Sequence, residues 1–167
     1  MNEELAAYIT RLCELSGHTT RIDDDLILVE PGHSFIYDAF TMVEEYYAYG
    51  EVDKYSFGGS LFGSASFEIF KKFAIMHFAA DIRTAHDLSP ITFPVISFPH
   101  PNYSIENVSG GTHKLIDTRT AVPTTFTTIT PDALVSLSYL LGTSSEDLLS
   151  LVLEPSGAGY AALYQHD

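Results

Sequence analysis

Ser66-Phe67-Glu68-Ile69-Phe70-Lys71-Lys72-Phe73-Ala74-Ile75-Met76-His77-Phe78-Ala79-Ala80-Asp81-Ile82-Arg83-Thr84-Ala85-His86 is the stretch on which the fold turns. At about 100° per residue, Ile69, Phe70, Phe73, Met76 and Ala80 share one side of a helix, while Ile75, Phe78 and Ile82 form a second stripe. A helix apolar on two sides belongs in the interior. The expectation is a central helix from about Phe67 to His86, packed on a sheet along one stripe and covered by helices or a partner along the other. Ser66 is its capping candidate, and Gly58-Gly59 with Gly63 reads as a tight connection into it.

Upstream, Asn2 can cap a helix whose first turn holds Glu3 and Glu4. Leu5, Tyr8, Ile9, Leu12 and Leu15 recur at helical spacing there, and Gly17 terminates the run. The period then changes. Leu26 to Val29, Ser34 to Phe40 and Glu45 to Tyr49 are β-branched and aromatic runs separated by Asp23-Asp24-Asp25, Pro31-Gly32 and Gly50, which predicts an antiparallel meander.

Downstream, Ile91 to Phe98 reads as a strand. A long polar and aromatic loop follows, with Pro99-His100-Pro101-Asn102-Tyr103 and Ser109-Gly110-Gly111; a connection of that length is either functional or disordered. Lys114 to Ile116, and Thr124 to Thr128, carry further strand signals. Thr130-Pro131 opens a helix to about Leu141, Thr143-x-x-Glu146 is a capping box for a last helix through about Leu153, and Tyr160 to Tyr164 is a candidate terminal strand. The fold class expected is α+β: an antiparallel meander, a central buried helix and a C-terminal helical pair.

The 167 residues fit one domain, 1–167, large enough to bury a core without covalent staples. A single cysteine, Cys13, cannot form an internal bridge and points to a reducing, cytoplasmic compartment. It sits in the first helix beside Leu12, where a buried thiol is inert. Glu3 and Glu4 stand where a signal peptide would be basic, and no run of about eighteen apolar residues exists, so neither export by that route nor a membrane span is expected.

With 8 Lys and Arg against 22 Asp and Glu, the formal charge is −14. That charge repels phosphate backbones and anionic lipid, which argues against nucleic acid and membrane, and it suits a protein partner with a basic surface. It also serves plain solubility.

Chemistry-bearing patterns are sparse. Seven histidines include no His-x-x-x-His or His-x-His pair, so no metal or other cofactor is implied. Asp23-Asp24-Asp25 lacks the glycine and closing glutamate of a calcium loop. Glu44-Glu45 and Glu51 could be proposed as a carboxylate pair for glycoside hydrolysis, but adjacent residues on a strand point to opposite faces, which does not suit it. The Gly58 to Gly63 segment matches neither phosphate-loop pattern. Helix, Leu141-Gly142-Thr143, helix looks like a DNA-binding turn, but no Lys or Arg lies between Ala121 and Asp167 to hold phosphates. His77, between Phe73 and Ala80 on the central helix, reads as a core or interface histidine; the alternative is a small-ligand carrier or enzyme with a pocket lined by the tyrosines near Tyr46, Tyr47 and Tyr49 and His77 as acid or base.

The order of features carries a resemblance. Leu15-Ser16-Gly17-His18 ends a helix, Asp24-Asp25-Leu26-Ile27-Leu28-Val29 forms an acidic turn and strand, and an aromatic meander follows. Phe67-Glu68-Ile69-Phe70-Lys71-Lys72-Phe73, Asp81-Ile82-Arg83 and Leu88-Ser89-Pro90-Ile91 come next, and the pair from Ala133 to Leu153 closes the chain. In this order the chain resembles the bacterial immunity proteins that protect cells from toxins similar to the tuberculosis necrotizing toxin, the immunity protein 61 group. The resemblance implies an antitoxin that is not an enzyme and occludes the active site of a cognate NAD-glycohydrolase-type toxin domain. It assigns no contact residues. The long loop, with His100, Asn102, Tyr103, Glu106 and Asn107, is the expected partner-facing segment, because buried aromatic anchors dominate interface energy; the alternative is a loop folded over its own core.

Overall fold

The computed structural model describes residues 2–30, 36–53, 56–127 and 131–165. The expected turn at Pro31-Gly32, the first residues of the Ser34 run, Thr128 and the capping Thr130 lie outside the described residues.

Helix α1 (Glu3–Leu15) is followed by strands β1 (Thr20–Asp23), β2 (Leu26–Val29), β3 (Ile36–Val43), β4 (Tyr46–Asp53) and β5 (Ser56–Ser64). Next come helix α2 (Phe67–Ala85), strands β6 (Tyr103–Asn107), β7 (His113–Asp117) and β8 (Val122–Thr127), and helices α3 (Asp132–Leu140), α4 (Ser145–Leu153) and α5 (Ala158–Ala162). The strands form one eight-stranded sheet in the order β1-β2-β3-β4-β5-β8-β7-β6, and every neighbouring pair is antiparallel. The α+β class and the meander are as the sequence predicts. After β5 the chain leaves the sheet through α2, reaches the far edge at β6, and returns inward until β8 pairs with β5.

The two long helices start where their caps dictate. The Asn2 side chain accepts from the Leu5 N–H at 3.0 Å, and the Ser66 hydroxyl accepts from the Ile69 N–H at 3.3 Å. Helix α2 lies against the sheet through rings: Phe73 stacks on Phe62 at 3.8 Å between centroids, and Phe40 meets Phe70 edge-on at 6.2 Å. Phe70, Phe73, Ile75, Phe78 and Ile82 are buried, so members of both stripes are covered, while Ile69 and Met76 of the first stripe are half-buried and Ala80 is exposed. Each such side chain contributes about 1.5–3 kcal/mol when fully removed from water.

Lys72 and Arg83 are buried on the same helix. The Lys72 ammonium donates to the Leu141 carbonyl at 3.0 Å, at the end of α3. The Glu68 carboxylate accepts from the Ser145 N–H at 2.8 Å and from its hydroxyl at 3.1 Å, at the start of α4. An anion thus sits at a helix N-terminus and a cation at a C-terminus, each matching the dipole it faces.

Six sequence expectations need correction. Gly50 does not separate strands but lies inside β4. The Gly58-Gly59 segment is not a connection but part of β5, where a register shift presses it on β4. A Cβ on Gly50 would come within 2.4 Å of the Gly59 carbonyl oxygen, so that crossing needs a residue without a side chain. Ile91 to Phe98 is not a strand; it has no regular structure. The loop expected after Phe98 contains β6, which pairs with β7 from Tyr103↔Asp117 to Asn107↔His113. The cap of α4 is Ser144, one residue on from Thr143: its hydroxyl accepts from the Asp147 N–H at 3.1 Å. Tyr160 to Tyr164 belongs to the short helix α5 and the turn after it, because Tyr160 and Tyr164 are needed on one side, both buried.

Candidate partner-binding surface

The crossover from α2 to the far sheet edge is a strap of chain, residues 88–102, with no helix or strand. Prolines at 90, 94, 99 and 101 fix its local geometry and remove main-chain donors, which is why a run rich in apolar residues does not join the sheet.

Both ends of the strap are latched to the helical layer. At the first end, Arg83 is 2 % exposed and makes four hydrogen bonds to main-chain carbonyls. Its Nε donates to the Ser89 carbonyl at 2.7 Å, one terminal nitrogen to those of Val152 and Glu154 at 2.7 and 2.8 Å, and the other to that of Pro155 at 3.0 Å. These last carbonyls close α4, where the negative end of the helix dipole offsets the buried charge. At the second end, the His100 N–H donates to the Ser138 hydroxyl at 2.9 Å, and the Tyr139 hydroxyl donates to the Phe98 carbonyl at 3.1 Å.

Between the latches the side chains divide. Ile91 and Ile96 pack on the core, and Phe93 meets Tyr160 and Tyr164 edge-on at 5.8 and 5.3 Å. Val95 is 97 % exposed and Phe98 is 78 % exposed. Beside them, an open groove of about 530 Å³ runs between the strap and helices α3 and α5, with Met76, Phe93 and Tyr164 among its walls and Asp132 at its polar side.

The five residues expected to face a partner are not one surface. His100 turns inward: its Nδ1 accepts from the Asn102 N–H at 3.2 Å, and its ring meets Tyr103 and Tyr139 at 6.0 and 5.7 Å. Tyr103 is half-buried against the core, on the helix-covered face with Ile105. Burial first, and the Asp117 charge second, raise its hydroxyl pKa above the ordinary value, while Arg119 opposes them. Asn102 is exposed and holds the hairpin base, its carbonyl accepting from the Thr118 N–H and hydroxyl at 2.9 Å. Glu106 and Asn107 are exposed near the hairpin tip, Glu106 opposite Lys114 on the other face of the sheet. Reading the run as a strand does not mark Phe93, Val95 and Phe98 as surface residues, although Pro94 inside the run and Pro99 after it signal irregular chain.

His77 has a carboxylate partner but is closely packed by rings. Its Nε2 lies 2.8 Å from Asp38, whose other oxygen accepts from the Tyr49 hydroxyl at 2.8 Å. Rings of Phe40, Tyr49, Phe73 and Phe78 surround it at 4.8 to 6.3 Å. Burial pushes the Asp38 carboxyl up, but the hydrogen bond and charge of His77 and the bond from Tyr49 outweigh it, so the net shift is downward. Tyr49 moves the opposite way, raised first by burial and then by the Asp38 charge and hydrogen bond. This arrangement ties α2 to β3 and β4. Tyr47 stacks on Phe67 at 4.6 Å and Tyr46, one residue along the strand, lies on the other face, so of the three tyrosines it is Tyr49 that packs on His77, at 4.8 Å.

Comparison with known proteins follows the architecture. A model of the family Immunity protein 61 matches residues 12–160. Among solved structures, Rv3902c from M. tuberculosis is similar in fold, with a TM-score of 0.74 and 22 % identity over 94 % of this chain and 91 % of that one. No curated protein matches the sequence.

Proposed function

The chain belongs to the immunity protein 61 family, and from that premise we propose that it is an antitoxin, acting on an NAD-glycohydrolase-type toxin by binding and occluding the active site. The observation that carries the proposal is the family match across residues 12–160. An immunity protein implies a protein partner and an inhibitor that works by binding, and a cytoplasmic site of action follows from the role. The toxin class rests on the resemblance of the feature order to antitoxins of that group.

The molecule suits the role. An inhibitor of an enzyme cleft needs rigid, protruding groups, since ordering flexible side chains at an interface consumes binding energy. The latched strap provides them, with His100 and Asn102 at its end and Tyr103, Glu106 and Asn107 beyond it as further contact candidates. The formal charge of −14 favours a toxin whose cleft is basic at the rim.

The test is a panel of NAD-hydrolysing toxin domains, including any encoded beside this gene. At least one should form a stoichiometric complex with the purified chain, lose NAD hydrolysis in it, and be harmless to cells that co-express the chain. Neither binding nor protection across the panel at micromolar concentration would remove the proposal.

A further inference from the structure

We infer that the strap from Ile91 to Phe98 is the anchor of the complex: Val95 and Phe98 enter an apolar pocket of the partner, and the groove beside Phe93 receives an apolar side chain in return. The inference rests on the antitoxin reading and deepens it by naming the surface and the chemistry that fits it.

Three observations converge. Val95 and Phe98 are 97 % and 78 % exposed on a segment whose neighbours Ile91 and Ile96 pack on the core, so the chain holds two apolar groups in water at a cost that only a partner recovers. The segment is already ordered by Arg83 on the Ser89 carbonyl at one end and by Ser138 and Tyr139 at the other, with prolines at 90, 94 and 99 between and beside them. Binding through it forfeits little conformational entropy.

The third observation is charge. No Lys or Arg occurs from Thr84 through His113 or from Thr120 to the end of the chain, so the strap, α3 and α5 present no lysine or arginine. Arg83, beneath the strap, is buried and spends its donors on carbonyls. Asp132 lines the groove. An apolar surface edged by acid and without lysine or arginine fits a protein pocket with basic residues at its mouth. A second copy of this chain fits poorly, because two bodies of formal charge −14 repel each other.

The experiment uses a toxin domain that the unmodified chain binds, and measures Kd by calorimetry for Val95→Asp, Phe98→Ala and the double variant. Val43→Asp serves as control: Val43 is 41 % exposed on β3, which the strand order separates from β6, where the strap ends, by β4, β5, β8 and β7. Exposure of all three positions leaves folding intact, checked by unchanged thermal midpoints. The double variant should bind at least a hundredfold more weakly, the size expected when two anchors are lost, and the control within about twofold of the original. A normally folded double variant that binds within threefold of the unmodified chain refutes the anchor and leaves the antitoxin reading standing, whereas an unmodified chain that binds no toxin refutes that reading first. Sedimentation distinguishes the remaining occupant: a dimer at micromolar concentration that Val95→Asp dissolves would assign the strap to self-association and overturn the inference.

Discussion

Arg83 is a full charge at 2 % exposure whose four hydrogen bonds all end on main-chain carbonyls. The guanidinium suits the place because its donors are fixed in a plane and can reach several acceptors at once. Gly157 shares the site: its φ is +63°, and a Cβ there would come within 2.7 Å of Ile91 and 3.2 Å of the guanidinium. Replacing Arg83 by Met should therefore cost about 3 kcal/mol, since carbonyls lose their donors inside the fold; urea denaturation measures it, and a loss below about 1 kcal/mol would contradict the latch. Asp38 gives a pH prediction. Its folded-state pKa is lowered from the usual carboxylate value, so its contribution is fully present above the unfolded pKa of about 4 and is lost as pH falls through the folded value. Urea midpoints of the unmodified chain should fall more steeply below about pH 4 than those of Asp38→Asn, and parallel curves would refute the assignment. Cys13 is simpler: burial, then the charges of Asp38 and Glu14, push its thiol up to about 12. It should resist iodoacetamide at about pH 8 while folded and react once the chain is unfolded.

At the scale of elements, α2 organises the helical layer by reaching the ends of two others, Glu68 at the start of α4 and Lys72 at the end of α3. Burial pushes the Glu68 carboxyl up, but hydrogen bonds from Lys71 and Ser145 hold it below the ordinary value. Glu68→Ala should lower stability by about 1 kcal/mol, the size of a lost cap, and should loosen α4 first, read as faster amide exchange from Leu148 to Val152. Exchange that rises equally in α1 would instead mean a general loss. This link also shows what the sequence could tell. The two apolar stripes of α2, the Asn2 and Ser66 caps and the β-branched and aromatic runs of the first strands are local signals, and each element they predict is present. Local pattern favours Ile91 to Phe98 as the strand over Tyr103 to Asn107 because it is more apolar, yet which of them joins the sheet depends on where the crossover must deliver the chain. Edge strand β6 satisfies its hydrogen bonds through β7, a partner that local pattern does not name. The inward turn of His100 likewise follows from Ser138 and Tyr139, about forty residues away in sequence. The apolar character of the candidate surface was legible; its exposure was not, because exposure is set by the helices underneath.

For the whole molecule, one quantity read from composition governs two measurements in opposite directions. A formal charge of −14 on 167 residues loads the folded state with self-repulsion, and the lysines of α2 and the basic residues of β7 and its following turn relieve it only locally, as Lys71 does with Glu68 at 2.6 Å and Arg119 with Asp117 at 2.7 Å. Raising ionic strength from about 0.01 M to about 0.1 M shortens the screening length from roughly 30 Å to roughly 10 Å, so repulsion between distant acids fades while contacts within hydrogen-bond range persist. The thermal midpoint should therefore rise by a few degrees over that interval. The same screening weakens attraction to a basic partner, and because complementary fields act mainly on encounter, the association rate should fall about tenfold or more while dissociation changes little. Scanning calorimetry of the chain alone and stopped-flow mixing with its toxin, in the same buffers, give both readings. A midpoint that rises while the association rate stays constant would mean that the acids only keep the chain soluble and that the partner's rim is not basic, since no arrangement of opposite charges on two approaching surfaces is indifferent to salt.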